Sequence, residues 1–226
     1  QIPVADCAIT ASDFLGVHGE AMAVGERTPL ALLDAAASAR MAVGEAITNL
    51  LAAPIAGLQE VKLSANWMAA AAQPGEDAAL YQAVQAVGME LCPALGISIP
   101  VGKDSLSMQS RWQIDGESHG SSSPVSLIVS AFARVADVRD HATPVLDTAQ
   151  ESDIWLIGLG AGKQRMGGSI LAQVFDAFGG ECPDLDAPDL LARLAGLIIK
   201  AREQGLILAY HDRSDGGAFA ALCEMA

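Results

Sequence analysis

The sequence predicts an α+β fold, and two observations support this prediction. Short runs rich in β-branched residues alternate along the chain with longer segments rich in alanine and leucine, which indicates strands interleaved with helices. Hydrophobic residues make up 51% of the 226-residue chain, enough to form the core of one large or two small domains.

A first α+β unit is predicted over residues 1–143. Thr28 as an N-cap and Pro29 at the first helical position predict a helix that ends before Pro54. A second helix is predicted from Gly75 to Pro93. We expect strands at residues 2–10, 61–65, 97–101, 107–113 and 125–135, with a loop at residues 102–105 and a polar turn at residues 115–123.

A second unit is predicted over residues 153–226, after a polar, irregular linker at residues 144–152. Its predicted strands are residues 154–158 and 206–210, and its predicted helices are residues 169–178, residues 187–204 and a last helix near Ala218. The chain begins at Gln1 rather than at a methionine and ends at Ala226 within that last helix. We therefore expect a piece of a longer protein, with its second unit cut short.

Composition excludes several classes of function. A net charge of −14 argues against nucleic acid or an anionic membrane surface as a partner, because both attract basic patches. The four cysteines form no CxxC pair and no Cys/His metal spacing, so we expect reduced, structural thiols. No segment has the charged start, apolar middle and small-residue cleavage site of a signal peptide, and Arg40, Glu45 and Pro54 interrupt the segment closest to a membrane span. These observations predict a soluble, cytoplasmic protein.

Three polar clusters stand far apart in otherwise apolar sequence: residues 4–7 (VADC), 44–49 (GEAITN) and 211–217 (HDRSDGG). Each supplies carboxylate or amide oxygens, the ligands that Mg²⁺ prefers beside water and phosphate. Glu45 and Asn49 are four residues apart on a predicted helix, so both side chains lie on one face and two oxygen ligands can meet one cation. The clusters together indicate a magnesium–nucleotide module.

Each cluster also has a simpler interpretation, which the residues alone leave open. Asp6 is equally a solvated turn carboxylate at a strand end, and Glu45 is equally the partner of Arg40 or Lys62. Asp212 and Asp215 precede Gly216-Gly217 and a helix, an arrangement typical of an anion or metal–phosphate site. If the preceding strand continues, His211 points away from Asp212.

The predicted loop at residues 102–105 contains Lys103, Asp104 and Ser105 beside a glycine. These groups suit phosphate or its metal ion, but the complete P-loop pattern is absent, and a polar hairpin loop is the alternative. No Ser-His-Asp or Cys-His nucleophile arrangement can be assembled from the sequence.

A family resemblance rests on eight ordered segments: residues 3–7 (PVADC), 19–23 (GEAMA), 25–29 (GERTP), 44–49 (GEAITN), 63–68 (LSANWM), 74–77 (PGED), 102–105 (GKDS) and 211–217 (HDRSDGG). Together they resemble the large, single-chain phosphoribosylformylglycinamidine synthases (formylglycinamide ribonucleotide amidotransferases) of purine biosynthesis. The synthetase region of that family has two halves similar to aminoimidazole ribonucleotide synthetase, each with an A and a B subdomain. The resemblance identifies residues 1–143 with the second A subdomain, a mixed or antiparallel sheet with helices on one face. Residues 153–226 resemble the start of an α/β B subdomain.

The resemblance implies a function and a set of site residues. The family uses ATP and glutamine to convert formylglycinamide ribonucleotide into formylglycinamidine ribonucleotide, an ATP-dependent carbon–nitrogen ligation. Its second synthetase half is expected to hold an auxiliary Mg·ADP, so we expect Mg²⁺ and ATP or ADP as cofactors and no catalytic residue or turnover in the isolated chain. The implied magnesium ligands are Asp6, Glu45, Asn49 and Asp212, and the implied nucleotide contacts are Ala5 and Ser214.

The resemblance also implies partners. These are the nucleotide, a small ribonucleotide substrate and the remaining domains of the same polypeptide, and we expect the isolated chain to form a symmetric dimer through residues 1–135. Two other interpretations stay open. One is another ATP-using enzyme of the superfamily, such as selenophosphate synthetase, thiamine-monophosphate kinase or aminoimidazole ribonucleotide synthetase. The other is a non-catalytic nucleotide-binding or assembly module.

Overall fold

The computed structural model describes residues 3–226, and within them the chain forms seven strands and six α-helices. The strands are β1 (Ala8–Ala11), β2 (Gly19–Glu26), β3 (Lys62–Met68), β4 (Ser98–Ser105), β5 (Gln109–Ile114), β6 (Glu117–Ser122) and β7 (Ser126–Val135). The helices are α1 (Ala35–Leu50), α2 (Glu76–Gln85), α3 (Cys92–Leu95), α4 (Ile170–Val174), α5 (Pro188–Glu203) and α6 (Gly217–Met225). Short 3-10 helices cover Thr28–Leu32 and Leu58–Glu60, and a π-helix covers Ala86–Leu91.

Five strands form one mixed sheet in the order β1-β2-β7-β3-β4. All neighbours are antiparallel except β3 and β4, which run parallel. A separate hairpin pairs β5 with β6 through Asp115 and Gly116, whose φ angles of 51° and 84° fit a tight two-residue turn. The α+β fold predicted from the sequence is confirmed.

Helix α1 covers one face of this sheet. Asp34 is the N-cap of α1, and its side chain accepts a hydrogen bond from the Ala37 N–H at 2.8 Å. Along β2 every second residue is buried, so Ala21 and Ala23 face α1 while Met22 and Val24 lie on the open face. The core between helix and sheet is therefore built largely from small residues, which lets the two backbones approach closely.

Three helix predictions differ from the structure in detail. The helix expected at residues 169–178 is the shorter α4, Ile170–Val174. The helix expected from Thr28 is a 3-10 helix followed by α1, because Asp34 adopts an extended conformation and starts a new helix as its N-cap. The helix expected up to Pro93 continues through the π-helix and ends at Leu95, where Gly96 takes the left-handed conformation that commonly ends helices.

The predicted loop at residues 102–105 is wrong, because these residues form the end of strand β4. Pairing with β3 places Lys103 opposite Asn66 and Asp104 opposite Trp67, and the ladder satisfies backbone groups that a loop would expose to water. Strand β4 is the last of its sheet. The polar turn predicted at residues 115–123 is likewise mostly strand β6.

The strands predicted at residues 154–158 and 206–210 are also wrong. The described residues after Val135 form no strand, and Ile154, Trp155 and Leu156 are exposed. Both segments have the apolar composition of buried strands, but neither lies beside a strand that would complete its hydrogen bonds. The strand predicted at residues 2–10 is shorter as well, since β1 begins at Ala8, and Ile2 lies outside the described residues.

Helix α5 agrees with its predicted bounds and packs beside α3 through Leu191, Ala195 and Ile198. The chain after β7 is also fastened to α1 by polar contacts. The Arg40 guanidinium forms two hydrogen bonds with Asp184, at 2.8 and 2.6 Å. The division of the chain into two subdomains and a linker stays a prediction. Among the described residues, no helix is both long enough and apolar enough to span a bilayer.

Gly25 provides a test of the close approach between β2 and α1. A Cβ at this position would overlap the backbone of Ala42 and Ala46, and backbone atoms in a packed helix cannot move away freely. We expect Gly25→Ala to lower the free energy of unfolding by about 1–3 kcal/mol or more, measured by urea denaturation.

The matched control is Gly88→Ala. Gly88 lies on an exposed helical surface with no atom within 4 Å of the added Cβ, so this variant should be neutral or stabilised by up to about 1 kcal/mol. Equal stabilities for Gly25→Ala and Gly88→Ala would contradict the proposed overlap.

Candidate functional site

Asp6 joins the beginning of the described chain to the segment before α6. It lies just before β1, and its Oδ1 is 2.6 Å from His211 Nδ1. Its Oδ2 accepts a hydrogen bond from the backbone N–H of Asp212 at 3.1 Å. The side chain of Asp6 is only 2% exposed, so this carboxylate is a buried structural link rather than a solvated turn residue.

His211 lies between two carboxylates. Its Nδ1 faces Asp6, and its Nε2 is 2.9 Å from Oε2 of Glu224 on α6. Burial lowers the pKa of His211, but the hydrogen bonds to Glu224 and Asp6 outweigh burial and leave the pKa above its ordinary value. The expectation that His211 points away from the site is wrong, because the strand on which it depended does not form.

The oxygen and nitrogen ligand atoms of this cluster are close enough to share an ion. One ligand atom each from Asp6, His211 and Asp212 lies within 4.8 Å of the others. Burial raises the pKa of Asp6 to about 6; the hydrogen bond from His211 opposes this shift, and the charge of Asp212 adds to it. Burial likewise raises the pKa of Asp212. Two buried carboxyl groups side by side call for a positive charge.

Glu45 approaches the cluster from α1. Its Oε2 accepts the backbone N–H of Glu26 at 2.7 Å, and its Oε1 is 4.0 Å from Nη1 of Arg27. Burial raises the pKa of Glu45 to about 7, against the lowering effects of the Glu26 N–H and of Arg27. The charge of Asp212 raises the pKa further, so Glu45 and Asp212 act on each other across the site.

Glu45 pairs with neither Arg40 nor Lys62, so the simpler interpretation of this residue is wrong. Arg40 bonds Asp184 instead, and Lys62 Nζ donates to the backbone carbonyl of Gln59 at 3.4 Å. Glu45 therefore stays available on the side that faces Asp212.

Asn49 lies one turn further along α1, on the same face as Glu45. Its Nδ2 donates to the carbonyl of Val24 on β2 at 3.0 Å, which fixes the amide plane. Its Oδ1 is buried and has no hydrogen-bond partner among the described residues. An unpaired buried acceptor costs about 1–3 kcal/mol, and a bound cation would satisfy it. Carboxylate and amide oxygens suit Mg²⁺. Among the described residues, however, the group of ligand atoms within 4.8 Å of one another comprises Asp6, His211 and Asp212 and does not include Glu45, so a site shared by all four predicted ligands stays a prediction.

The loop before α6 completes this side of the site. Ser214 is half-buried and its carbonyl accepts the Gly217 N–H at 3.1 Å, while Gly216 and Gly217 adopt left-handed φ angles of 88° and 71°. Ala5 is exposed next to Asp6. Both residues implied as nucleotide contacts therefore flank the carboxylate cluster in sequence, and their nucleotide contacts stay a prediction.

Lys103, Asp104 and Ser105 do not join this cluster. They lie on β4, and β7 and β3 separate that strand from β2, which carries Val24 and Glu26. Three strand spacings amount to about 14 Å. A phosphate or substrate role for these residues stays a prediction, and it concerns a different part of the surface.

Arg27, His211 and Glu224 belong to the site but were not identified as site residues from the sequence. Arg27 Nη1 is 3.4 Å from Asp215 Oδ1 and also faces Glu45. Its sequence signal is weak: one arginine before Thr28-Pro29, in a segment that predicted only a helix start. His211 belongs to the polar cluster at residues 211–217, but no sequence pattern reveals that it contacts both Asp6 and Glu224.

Comparison with known proteins identifies the family. The model of the FGAR-AT PurM_N-like domain family matches residues 1–134, more than half of the chain. The chain belongs to this family. Asp6, Glu45 and Asn49 lie within the matched residues and Asp212 lies beyond them. The resemblance to a synthetase fragment of formylglycinamide ribonucleotide amidotransferase is confirmed.

The solved structure that aligns over nearly the whole chain supports the fold. The PurL protein of Thermotoga maritima in complex with FGAR aligns over 98% of this chain and 33% of its own length, with a TM-score of 0.61 and 13% identity. The same protein in complex with ATP aligns over 62% of this chain and 21% of its own, with a TM-score of 0.45 and 20% identity. The same protein in complex with ADP aligns over 63% of this chain and 22% of its own, with a TM-score of 0.46 and 20% identity. The chain therefore spans at most about a third of the PurL structures to which it is similar.

The buried carboxyl groups predict how stability depends on pH. The folded pKa of Glu45, about 7, lies above its ordinary value of 4.5, so between these values the folded chain holds a proton that the unfolded chain has released. We expect the free energy of unfolding in the presence of EDTA to fall as pH rises through this interval. The slope contributed by Glu45 is at most about 1.4 kcal/mol per pH unit, measured by urea denaturation at several pH values.

Glu45→Gln should flatten this dependence. The glutamine oxygen can still accept the Glu26 N–H, but it does not titrate. Asp6 contributes with the same sign in both proteins, so some slope should remain. Asp137→Asn is the control, because Arg139 holds the pKa of the exposed Asp137 at about 2, below the tested range. Parallel pH curves for wild type and Glu45→Gln would show that Glu45 is not the titrating group.

Proposed function

We propose that this chain is the nucleotide-holding part of an ATP-dependent ligase of purine biosynthesis and binds Mg·ADP or Mg·ATP at the Asp6–Glu45–Asn49–Asp212 site. The observation that carries the proposal is the buried Oδ1 of Asn49, which has no partner among the described residues and lies on the same face of α1 as Glu45. Burial raises the pKa of Glu45, Asp6 and Asp212, and the charge of Asp212 raises the pKa of Glu45 further. A divalent cation supplies the missing positive charge and the missing partner together.

We propose a part in metal binding for each of these residues. Glu45 and Asn49 offer oxygens from a rigid helix, and the contacts of their other polar atoms with Glu26 N–H and Val24 C=O hold both side chains in place. Asp6 and Asp212 would offer oxygens from the opposite side; His211 holds the carboxylate of Asp6, which also accepts the backbone N–H of Asp212. Mg²⁺ would satisfy these oxygens and carry the phosphates of the nucleotide on its remaining positions.

Membership of the amidotransferase family extends this proposal to a reaction. In that reaction ATP transfers its terminal phosphoryl group to the amide oxygen of formylglycinamide ribonucleotide, ammonia from glutamine attacks the activated carbon, and phosphate leaves. The Thermotoga maritima PurL structures in complex with ATP, ADP and FGAR are consistent with this substrate class. We assign this chain the auxiliary Mg·ADP, with turnover by other parts of the enzyme and none by the isolated chain. We place the protein in the cytoplasm.

Two alternatives predict different outcomes. A non-catalytic nucleotide-binding or assembly module would bind Mg·ADP equally well, but the full-length protein that contains it would not form formylglycinamidine ribonucleotide. Another ATP-using enzyme of the superfamily would consume ATP with a different acceptor. The family match over residues 1–134 favours the amidotransferase.

Asn49 gives a sharp test of the nucleotide site. Asn49→Leu keeps the size of the side chain and removes the orphaned oxygen, so we expect the affinity for Mg·ADP to fall at least about tenfold, the effect of one lost contact of roughly 1.4 kcal/mol. Isothermal titration calorimetry with ADP, in Mg²⁺ and in EDTA, measures this change. The wild-type chain should bind ADP much more weakly in EDTA.

Asn66→Leu is the matched control. The Oδ1 of Asn66 is also buried without a partner, but Asn66 lies on β3 and not on the face of α1 that carries Glu45. Its affinity for Mg·ADP should equal that of wild type. If Asn49→Leu and Asn66→Leu lost affinity for Mg·ADP equally, the loss would reflect general destabilisation of the fold. If the wild-type chain bound no Mg·ADP, the proposed function would be refuted.

We also propose that the isolated chain forms a symmetric dimer through residues 1–135. The face of the sheet opposite α1 exposes Met22, Val24 and Phe132 on adjacent strands, and β4 leaves a free edge. Apolar faces and free edges of this kind associate with a partner chain, and a second copy offers an identical face.

Phe132→Glu tests this dimer. A charge in the middle of the exposed apolar face should shift the molar mass measured by light scattering from dimer to monomer. Val84→Glu is the control. The exposed fraction of Val84, 42%, is similar to the 37% of Phe132, but Val84 lies on helix α2 and not on the open face of the sheet. A monomeric wild type at high concentration would contradict the proposal.

A further inference from the structure

The site has a large excess of negative charge, and Arg27 is the cation placed to offset it. Six acidic side chains surround the site: Asp6, Glu26, Glu45, Asp212, Asp215 and Glu224. His211 is the other basic group, but both of its nitrogens already face carboxylates. A nucleotide polyphosphate brings several further negative charges, so a single Mg²⁺ leaves the site strongly anionic.

The backbone of Arg27 is fixed while its guanidinium is only loosely held. Its carbonyl accepts hydrogen bonds from Ser38 Oγ at 2.7 Å and from Leu30 N–H at 3.1 Å, which ties the residue to α1 and to the 3-10 helix. The guanidinium makes two long contacts, 4.0 Å to Glu45 and 3.4 Å to Asp215. Strong arginine–carboxylate pairs have distances of about 2.7–2.9 Å. Of the five N–H donors of the guanidinium, only the group at Nη1 meets an acceptor among the described residues.

We propose that Arg27 is the phosphate-binding residue of this site and selects a nucleotide with at least two phosphates. When the metal ion neutralises Glu45, the guanidinium leaves its weak contacts with Glu45 and Asp215 and forms a fork of two hydrogen bonds to the phosphate furthest from the sugar. This inference rests on the proposed function, because it assumes that a metal–nucleotide complex occupies the site.

The proposal has two opposite consequences. Without nucleotide, the guanidinium stands beside Glu45 and repels a bare divalent ion, so Arg27 opposes binding of the metal alone. With nucleotide, Arg27 adds a charge-assisted bidentate contact to phosphate. Arg27 therefore favours the metal–nucleotide complex over the free metal, which a residue with a purely structural role would not do.

The test uses Arg27→Met, which keeps the length of the side chain and removes the charge. We expect its affinity for Mn²⁺ alone, measured by electron paramagnetic resonance, to equal or exceed that of wild type by up to several-fold. Its affinity for Mg·ADP should fall at least about tenfold, while its affinity for Mg·AMP should change less. Arg134→Met is the control, because Arg134 forms only an exposed ion pair with Glu60 and should leave all three affinities unchanged.

Each outcome decides the proposal. Equal Mg·ADP affinity in wild type and Arg27→Met overturns the inference and leaves the proposed function intact. Parallel loss of Mn²⁺ and Mg·ADP affinity shows that Arg27 only supports Glu45, and it overturns the inference as well. If wild type binds no Mg·ADP, the proposed function fails and this inference fails with it.

Arg27→Lys replaces Arg27→Met if the methionine variant does not fold. Lysine retains the positive charge but cannot form the fork of two hydrogen bonds. Reduced Mg·ADP affinity with unchanged Mn²⁺ affinity then supports the proposal, and unchanged Mg·ADP affinity overturns it.

Discussion

The carboxylate of Asp6 is the contact on which the site depends. Its two oxygens hold His211 and the backbone of Asp212, residues more than two hundred positions away in sequence. The segment that carries them forms no strand, so the sheet does not position it. The Tyr210 hydroxyl donates to the carbonyl of Thr48 at 2.8 Å, and the Arg202 guanidinium donates to the carbonyl of Leu51. A few buried hydrogen bonds thus dock this segment against the C-terminal half of α1.

The same arrangement is costly for the metal-free protein. Burial raises the pKa of Asp6, Glu45 and Asp212, which means that ionising these groups at neutral pH opposes folding. The tightly packed, alanine-rich contact between α1 and the sheet lies outside this cluster and stabilises the fold without help from the carboxylates. Stability and site chemistry are therefore supplied by different parts of the chain, as is common where polar groups are buried for function.

The sequence predicted features that depend on local spacing. Glu45 and Asn49 share a face because a helix repeats every 3.6 residues, and the bounds of α5 follow from its apolar periodicity. The strand predictions for residues 154–158 and 206–210 were wrong for a related reason. The composition of these segments favours strands, but a strand forms only where a neighbouring strand completes its hydrogen bonds. Arg27 was missed because its contacts with Glu45 and Asp215 arise from the tertiary fold. The role of the four implied ligands still rests on the resemblance and stays a prediction.

If a metal ion binds as proposed, the division of its site between two distant parts of the chain couples metal binding to docking. Glu45 and Asn49 belong to α1, whereas Asp6 and Asp212 belong to segments held on α1 by few contacts. An ion that bonds to both pairs links these parts directly, so its binding free energy adds to the stability of docking, as for any ligand that binds only the assembled state. The Oδ1 of Asn49, which has no partner among the described residues, and the loosely held guanidinium of Arg27 are the groups that such an ion and its phosphates would contact. The ion and the phosphates together would supply the partners that both groups lack.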